Sequence, residues 1–180
     1  MAKVFLGRGQ KTKIRDIKVI MKIYIGADHA GFELKETLKK FLLELGHEVE
    51  DKGAFKYEPE DDYPDFVFPV AEAVAEGSEQ GQGAKVRGIV IGGSGQGEAM
   101  CANRVKGVRA AVYYGGDFEI VRLSRAHNNA NVLALGARMM DDELAKKAVK
   151  LWLETPFDGG PASPDGGQGG RHERRISKLD

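Results

Sequence analysis

Residues 86–93, VRGIVIGG, restrict the fold more than any other stretch of the chain. So short a run, apolar and β-branched on both faces and closed by two glycines, suits a central strand of a parallel sheet with helices on both sides. Parallel neighbours require crossovers, and the rest of the sequence supplies them. MKIYIGA (21–27) reads as a strand, and FELKETLKKFLLELG (32–46) places Leu34, Leu38, Phe41, Leu42 and Leu45 at helical spacing. HEVED (47–51) restarts a strand, and DFVFPVAEAVAEG (65–77) reads as a helix that tolerates Pro69 in its first turns. GVRAAVYY (107–114), a helix over 117–126, the strand NVLALG (131–136) and a helix over 141–153 continue the alternation. The expectation is an α/β chain with a doubly wound five-stranded parallel sheet, one domain, and a C-terminal helical tail. At 180 residues the chain is long enough for one such core.

The fold is expected over 21–157. Residues 1–20 carry basic charge with little periodicity and are set aside as an extension outside the domain. DGGPASPDGGQGG (158–170) reads as a Gly/Pro linker, and the short basic helix RHERRISKL lies within 171–180. Lys+Arg and Asp+Glu both total 27, so no overall field draws the protein to nucleic acid or to an anionic membrane. Any anion must be caught locally. No apolar run approaches the roughly 20 residues that span a bilayer. The single cysteine, Cys101, can form no internal disulfide and no cysteine metal cage, which points to a reducing, cytoplasmic setting.

Ligands of doubly wound sheets bind beyond the carboxyl ends of the strands, so the loops after Ala27, Ile91, Tyr114 and Leu135 are where chemistry is expected. GGSGQGE (92–98) joins the central strand to a helix beginning near Glu98. Its glycines let backbone amides approach an anion, although neither GxGxxG nor a Lys-Ser/Thr pair is present. A tight turn without a ligand fits the same spacing, and Glu98 also suits a first-turn acid complementing the helix dipole. Asp28, in ADHAG (27–31), fits a helix N-cap as well as a functional acid beside His29. His127 precedes the last strand with Asn128 beside it, where a structural histidine is common. Arg138 follows that strand, and Arg171 and Arg175 share one helical face suited to a phosphate or to solvent. His172, Glu173 and Arg174 fall off that stripe.

The ordered set GADHAG, DYPD, GGSGQGE, RAHNNAN, GAR and RHERR resembles type B ribose-5-phosphate isomerases of the RpiB/LacAB sugar-phosphate isomerase family. The likeness runs from Met21 to about Ile176. It implies a Rossmann-like homodimer with shared active sites, with tetramers left open, and an activity that interconverts ribose 5-phosphate and ribulose 5-phosphate. It implies Glu98 as base and His127 as the group that opens the sugar ring. Asp28, His29, Asn128 and the loop Gly93, Ser94, Gly95, Gln96 and Gly97 would hold the sugar. Arg138, Arg171 and Arg175 would bind the phosphate. One branch of the family has a cysteine base at the position of Gly92, from which this chain departs. Enediolate chemistry needs one base and an oxyanion cradle, so no metal and no other cofactor is expected. Two other readings remain: a hexose 6-phosphate isomerase acting on allose or galactose phosphates, which keeps the same catalytic parts, and a non-catalytic sugar-phosphate sensor, which needs the anion site and the arginines but no base.

Overall fold

The computed structural model describes residues 19–78, 85–159 and 169–179. The segments 1–18 and 160–168, to which most of the expected extension and linker belong, lie outside the described residues. The elements in chain order are β1 (Lys22–Ala27), α1 (Phe32–Glu44), β2 (Glu48–Asp51), α2 (Pro64–Gly77), β3 (Val86–Gly92), α3 (Gln96–Ala102), β4 (Ala110–Tyr113), α4 (Phe118–Ala126), β5 (Val132–Gly136), α5 (Asp142–Glu154) and α6 (Gly169–Ile176). A single 3₁₀ turn, Ala137–Met139, follows β5.

All strands pair in parallel in the order β2-β1-β3-β5-β4, with β3 at the centre and every residue of it buried. Side chains alternate across the sheet, which is why β3 reads as apolar throughout. Ile89 and Ile91 join Ile23, Ile25, Leu133 and Leu135 under α1, α4 and α5, where Leu38, Val121 and Trp152 close one core layer. Val90 turns to the other face with Val132 and Ala134, under Val67, Val70 and Val74 of α2 and Ala102 of α3. α2 lies close to the sheet because β3 carries Gly88 there; a Cβ at that position would stand 3.0 Å from Val70, Val74 and Val132.

Registers fix the two ends of the sheet. Gly92 pairs with Gly136 at the carboxyl end, while Gly88 pairs with Val132 toward the amino end. The loop from β2 to α2, residues 52–63, is anchored at its root by Lys35, a fully buried lysine of α1. Its Nζ donates to both oxygens of Asp51, at 2.9 and 2.8 Å, and to the Ala54 carbonyl at 2.6 Å. A buried lysine is tolerable only with such complete pairing, and the pairing aims the following loop back over β1.

Candidate active site

At the carboxyl end of β3 the chain turns through Gly93 and Ser94 to Gly95, whose φ of +76° opens α3 in the left-handed region. A side chain at Gly95 would also meet the Leu135 carbonyl carbon at 2.8 Å, so glycine is required twice over. The Ser94 hydroxyl accepts from the Gln96 amide at 3.4 Å, a local turn contact. Glu98 occupies the third position of α3, and its side chain folds back over β3. A Cβ built on Gly92 would overlap the Oε1 and Cδ of Glu98. The carboxylate therefore fills the volume that a side chain at 92 would claim.

Glu98 is 4% exposed. Burial pushes its carboxyl above the usual range, its own amide and that of Gly95 oppose the rise, and the nearby charge of Asp28 adds to it. Burial outweighs the favourable amides. Asp28 is itself buried, and one of its oxygens accepts from the amides of Ala30 (3.0 Å) and Gly31 (3.1 Å). Burial raises its carboxyl too, against those two hydrogen bonds. The N-cap of α1 is Gly31, with no side-chain cap, so Asp28 is not the helix cap; it closes the turn before the helix, and that turn carries His29 to the mouth of the site.

His29 sits between opposite charges. Its Nδ1 lies 2.8 Å from Asp61 Oδ1, and its amide donates to the same oxygen at 2.9 Å. The Asp61 hydrogen bond raises the imidazole above its ordinary value, while Arg138 works in the opposite direction. Arg138 reaches this cluster from the turn after β5: its amide donates to the Gly93 carbonyl at 3.1 Å, and its Cδ and Nη1 lie 3.4 Å from where a Gly93 Cβ would stand. The Tyr63 ring covers Gly97 in the same manner, with Cζ 3.1 Å and the hydroxyl 3.2 Å from a Cβ there. Asp28, His29, the loop 93–97, Glu98 and Arg138 are therefore assembled at one end of the sheet.

The remaining candidates are elsewhere. α4 runs back from the carboxyl end of β4, so its C-cap, His127, and the following Asn128 stand where β5 begins. β5 alone, five residues long, sets roughly 15 Å between that position and the Glu98 cluster. His127, Asn128, Arg171 and Arg175 thus stand away from the strand carboxyl ends where the chemistry is expected. The reason is the crossover: a helix entering from one end of a parallel sheet delivers its own end to the other.

α6 docks at this second end through His172, which was set aside as lying off the arginine stripe. His172 is 4% exposed, and its ring stacks on His127 with centroids 4.2 Å apart and planes 12° from parallel. Burial, and the charges of His127, Arg171 and Arg175, hold its imidazole below the usual value. The spacing that puts Arg171 and Arg175 on an exposed face puts His172 underneath, so being off the stripe was itself the signal. Asp61 was missed for want of any signal, being one acid among several in EPEDDYPD. Cys101 is buried, and burial pushes its thiol up, away from nucleophilic use. Among the described residues no group of three or more His, Cys, Asp or Glu side chains could hold a metal ion.

A family model described as Ribose/Galactose Isomerase matches residues 23–179. The chain belongs to that family. A protein of Mycolicibacterium paratuberculosis named ribose-5-phosphate isomerase B is 38% identical over 159 residues, covering 88% of this chain and 89% of its own. A crystal structure of ribose-5-phosphate isomerase B from Mycoplasma genitalium with bound ribulose 5-phosphate superposes with a TM-score of 0.76 at 38% identity, over 88% of this chain and 93% of that one. A D-erythrulose-4-phosphate isomerase of Pectobacterium atrosepticum is 38% identical over 148 residues, 81% of this chain and 90% of its own. The family's five-stranded α/β fold is the one described above.

Proposed function

We propose that this member of the Ribose/Galactose Isomerase family is an aldose–ketose isomerase that interconverts ribose 5-phosphate and ribulose 5-phosphate, with Glu98 as the base. The observation that carries the reading is the Glu98 carboxylate, buried, raised in basicity and folded over Gly92 beside a loop of closely spaced backbone amides. A carboxylate of ordinary solution basicity is a poor match for a carbon acid, and burial improves the match. Glu98 removes the proton from C2 of the open-chain aldose, and the electron pair moves onto the C1 oxygen to give an enediolate. The C2 hydroxyl proton passes to that oxygen, and protonated Glu98 returns its proton to C1 as the C2 carbonyl forms, which gives the ketose and restores the carboxylate. Amides of the 93–97 loop stabilise the oxyanion between the two steps.

The phosphate is held by arginines, and its remote binding energy positions C1 and C2 for reaction. His127 opens the furanose ring by moving a proton between ring oxygen and anomeric hydroxyl, and Asn128 holds the sugar. Because Glu98 and His127 stand at opposite ends of one sheet, each site is completed by a second copy of the chain, which brings His127, Asn128, Arg171 and Arg175 to Glu98. The reading places the enzyme in the cytoplasm, in keeping with its one unpaired cysteine.

Replacing Glu98 by Gln tests the base directly. Turnover of ribose 5-phosphate is expected to fall on the order of 10³-fold. Binding of the substrate is expected to change by less than about tenfold, roughly 1.4 kcal/mol. Undiminished turnover would remove Glu98 from the mechanism, and a wild-type protein that binds the sugar phosphate without turning it over would favour a sensor. A four-carbon substrate in the name of one relative shows that the family scaffold is not tied to pentoses. Turnover of allose 6-phosphate beside ribose 5-phosphate decides the chain length, and a large preference for the hexose would overturn the pentose assignment.

A further inference from the structure

Asp61 has no role in the scheme above, yet its placement is unusual. It belongs to the acidic loop between β2 and α2, and its side chain is only 10% exposed. One oxygen, Oδ1, receives both the amide of His29 and its ring Nδ1. The other, Oδ2, is buried and has no hydrogen-bond partner. A carboxylate so placed lacks the solvation that would offset its charge and needs a counter-charge close by. Among the described residues, the cation within ion-pair distance is His29.

We propose that Asp61 is a positioning residue for sugar-phosphate binding: it fixes the His29 ring with Nδ1 turned inward and keeps it charged, so that Nε2–H is presented to the phosphate or another anionic oxygen of the substrate. The inference rests on the sugar-phosphate reading above. Two geometric facts support it. The double contact to a single oxygen sets both the backbone turn and the ring orientation, leaving Nε2 as the nitrogen free to face the ligand. The loop carrying Asp61 is tethered at its root by buried Lys35 through Asp51 and Ala54, which fixes where the loop leaves the sheet. The charged groups acting on His29 are Asp61 and Asp28, which favour its protonated form, and Arg138, which disfavours it. Asp61 supplies the largest contribution. With Asp61 neutral, the imidazole loses the strongest of the groups that favour its charged form, while burial and Arg138 still disfavour it.

Asp61→Asn keeps the shape and one acceptor oxygen while removing the charge. In the substrate-free protein, the His29 ring followed by NMR is expected to titrate above the ordinary imidazole value in the wild type and lower in D61N. With ribose 5-phosphate, the KM of D61N is expected to exceed that of the wild type about tenfold near pH 8 and by less than about twofold near pH 6, with KM moving more than kcat. An Asp61→Glu variant should recover part of the charged-His29 titration even if its loop is perturbed. The same His29 titration in wild type and D61N would overturn the proposal, as would a KM increase that is constant across pH, the mark of a purely structural tether. If ribose 5-phosphate is not turned over at all, the functional reading fails, while the NMR titration still decides whether Asp61 charges His29.

Discussion

Glu98 and Gly92 cannot be considered separately, because the carboxylate of one occupies the side-chain volume of the other. A side chain at 92, such as the cysteine that the family resemblance implies for one branch, and the present Glu98 conformation are sterically exclusive, so the two residues are alternative ways of filling one position. Gly92→Ala is therefore expected to rotate the Glu98 carboxylate away and lower kcat about 10²-fold, as displacements of about 1 Å do elsewhere. The thermal midpoint should move by only a few degrees, because the displaced group is a side chain and not the strand; kcat and a thermal melt measured together check this. An alanine variant with wild-type kcat would show that this conformation is not the productive one. At this scale Glu98 was legible, since only one acid follows the glycine run at the start of a helix. Asp61 was not, because its meaning depends on a loop that β2 and Lys35 direct across the sheet, and nothing within EPEDDYPD distinguishes it from Glu60 or Asp62.

Strands and helices were legible where the apolar pattern is dense, and boundaries slipped where side chains replace the regular ladder. β4 was expected over 107–114 and is confined to Ala110–Tyr113. Gly107 turns with a positive φ of 79°, the Arg109 amide is taken by the Asn131 side chain at 2.7 Å, and the Asn103 side chain pairs with both backbone groups of Ala110. Asn103 imitates the strand partner that the open edge of β4 lacks, while Asn131 replaces a ladder contact on the β5 side. α6 shows the opposite case, a helix whose existence was legible and whose docking was not. Stacking of His172 on His127 holds it in place, and Arg171 and Arg175 then face outward. Replacing both arginines by alanine is expected to raise the KM for ribose 5-phosphate at least about tenfold, with a smaller effect on kcat, as measured by steady-state kinetics. Because the arginine face is exposed and His172 is left intact, far-ultraviolet circular dichroism should be unchanged. A KM within twofold of the wild type would return the stripe to solvent.

At the scale of the whole molecule, the topology decides how the two clusters can cooperate. A parallel sheet keeps its carboxyl-end loops and its amino-end loops apart by the length of its strands, and no side-chain rotation in this chain closes the distance from His127 to Glu98. A symmetric pair of chains removes the difficulty, since each can present its amino-end cluster to the other's carboxyl-end cluster, and two equivalent sites result. Large apolar side chains exposed on several elements, among them Met100 of α3, Ile120 of α4 and Leu179 beyond α6, give a second copy surface to bury. The decisive measurement is complementation between two inactive variants, Glu98→Gln and His127→Asn. Each alone forms pairs with two defective sites. When the variants are co-expressed, a mixed pair carries both lesions in one site and neither in the other. Random pairing makes half of the molecules mixed, so about a quarter of wild-type activity should return. If each site were built within a single chain, every site in the mixture would still carry one lesion and no activity would return, whatever the oligomeric state.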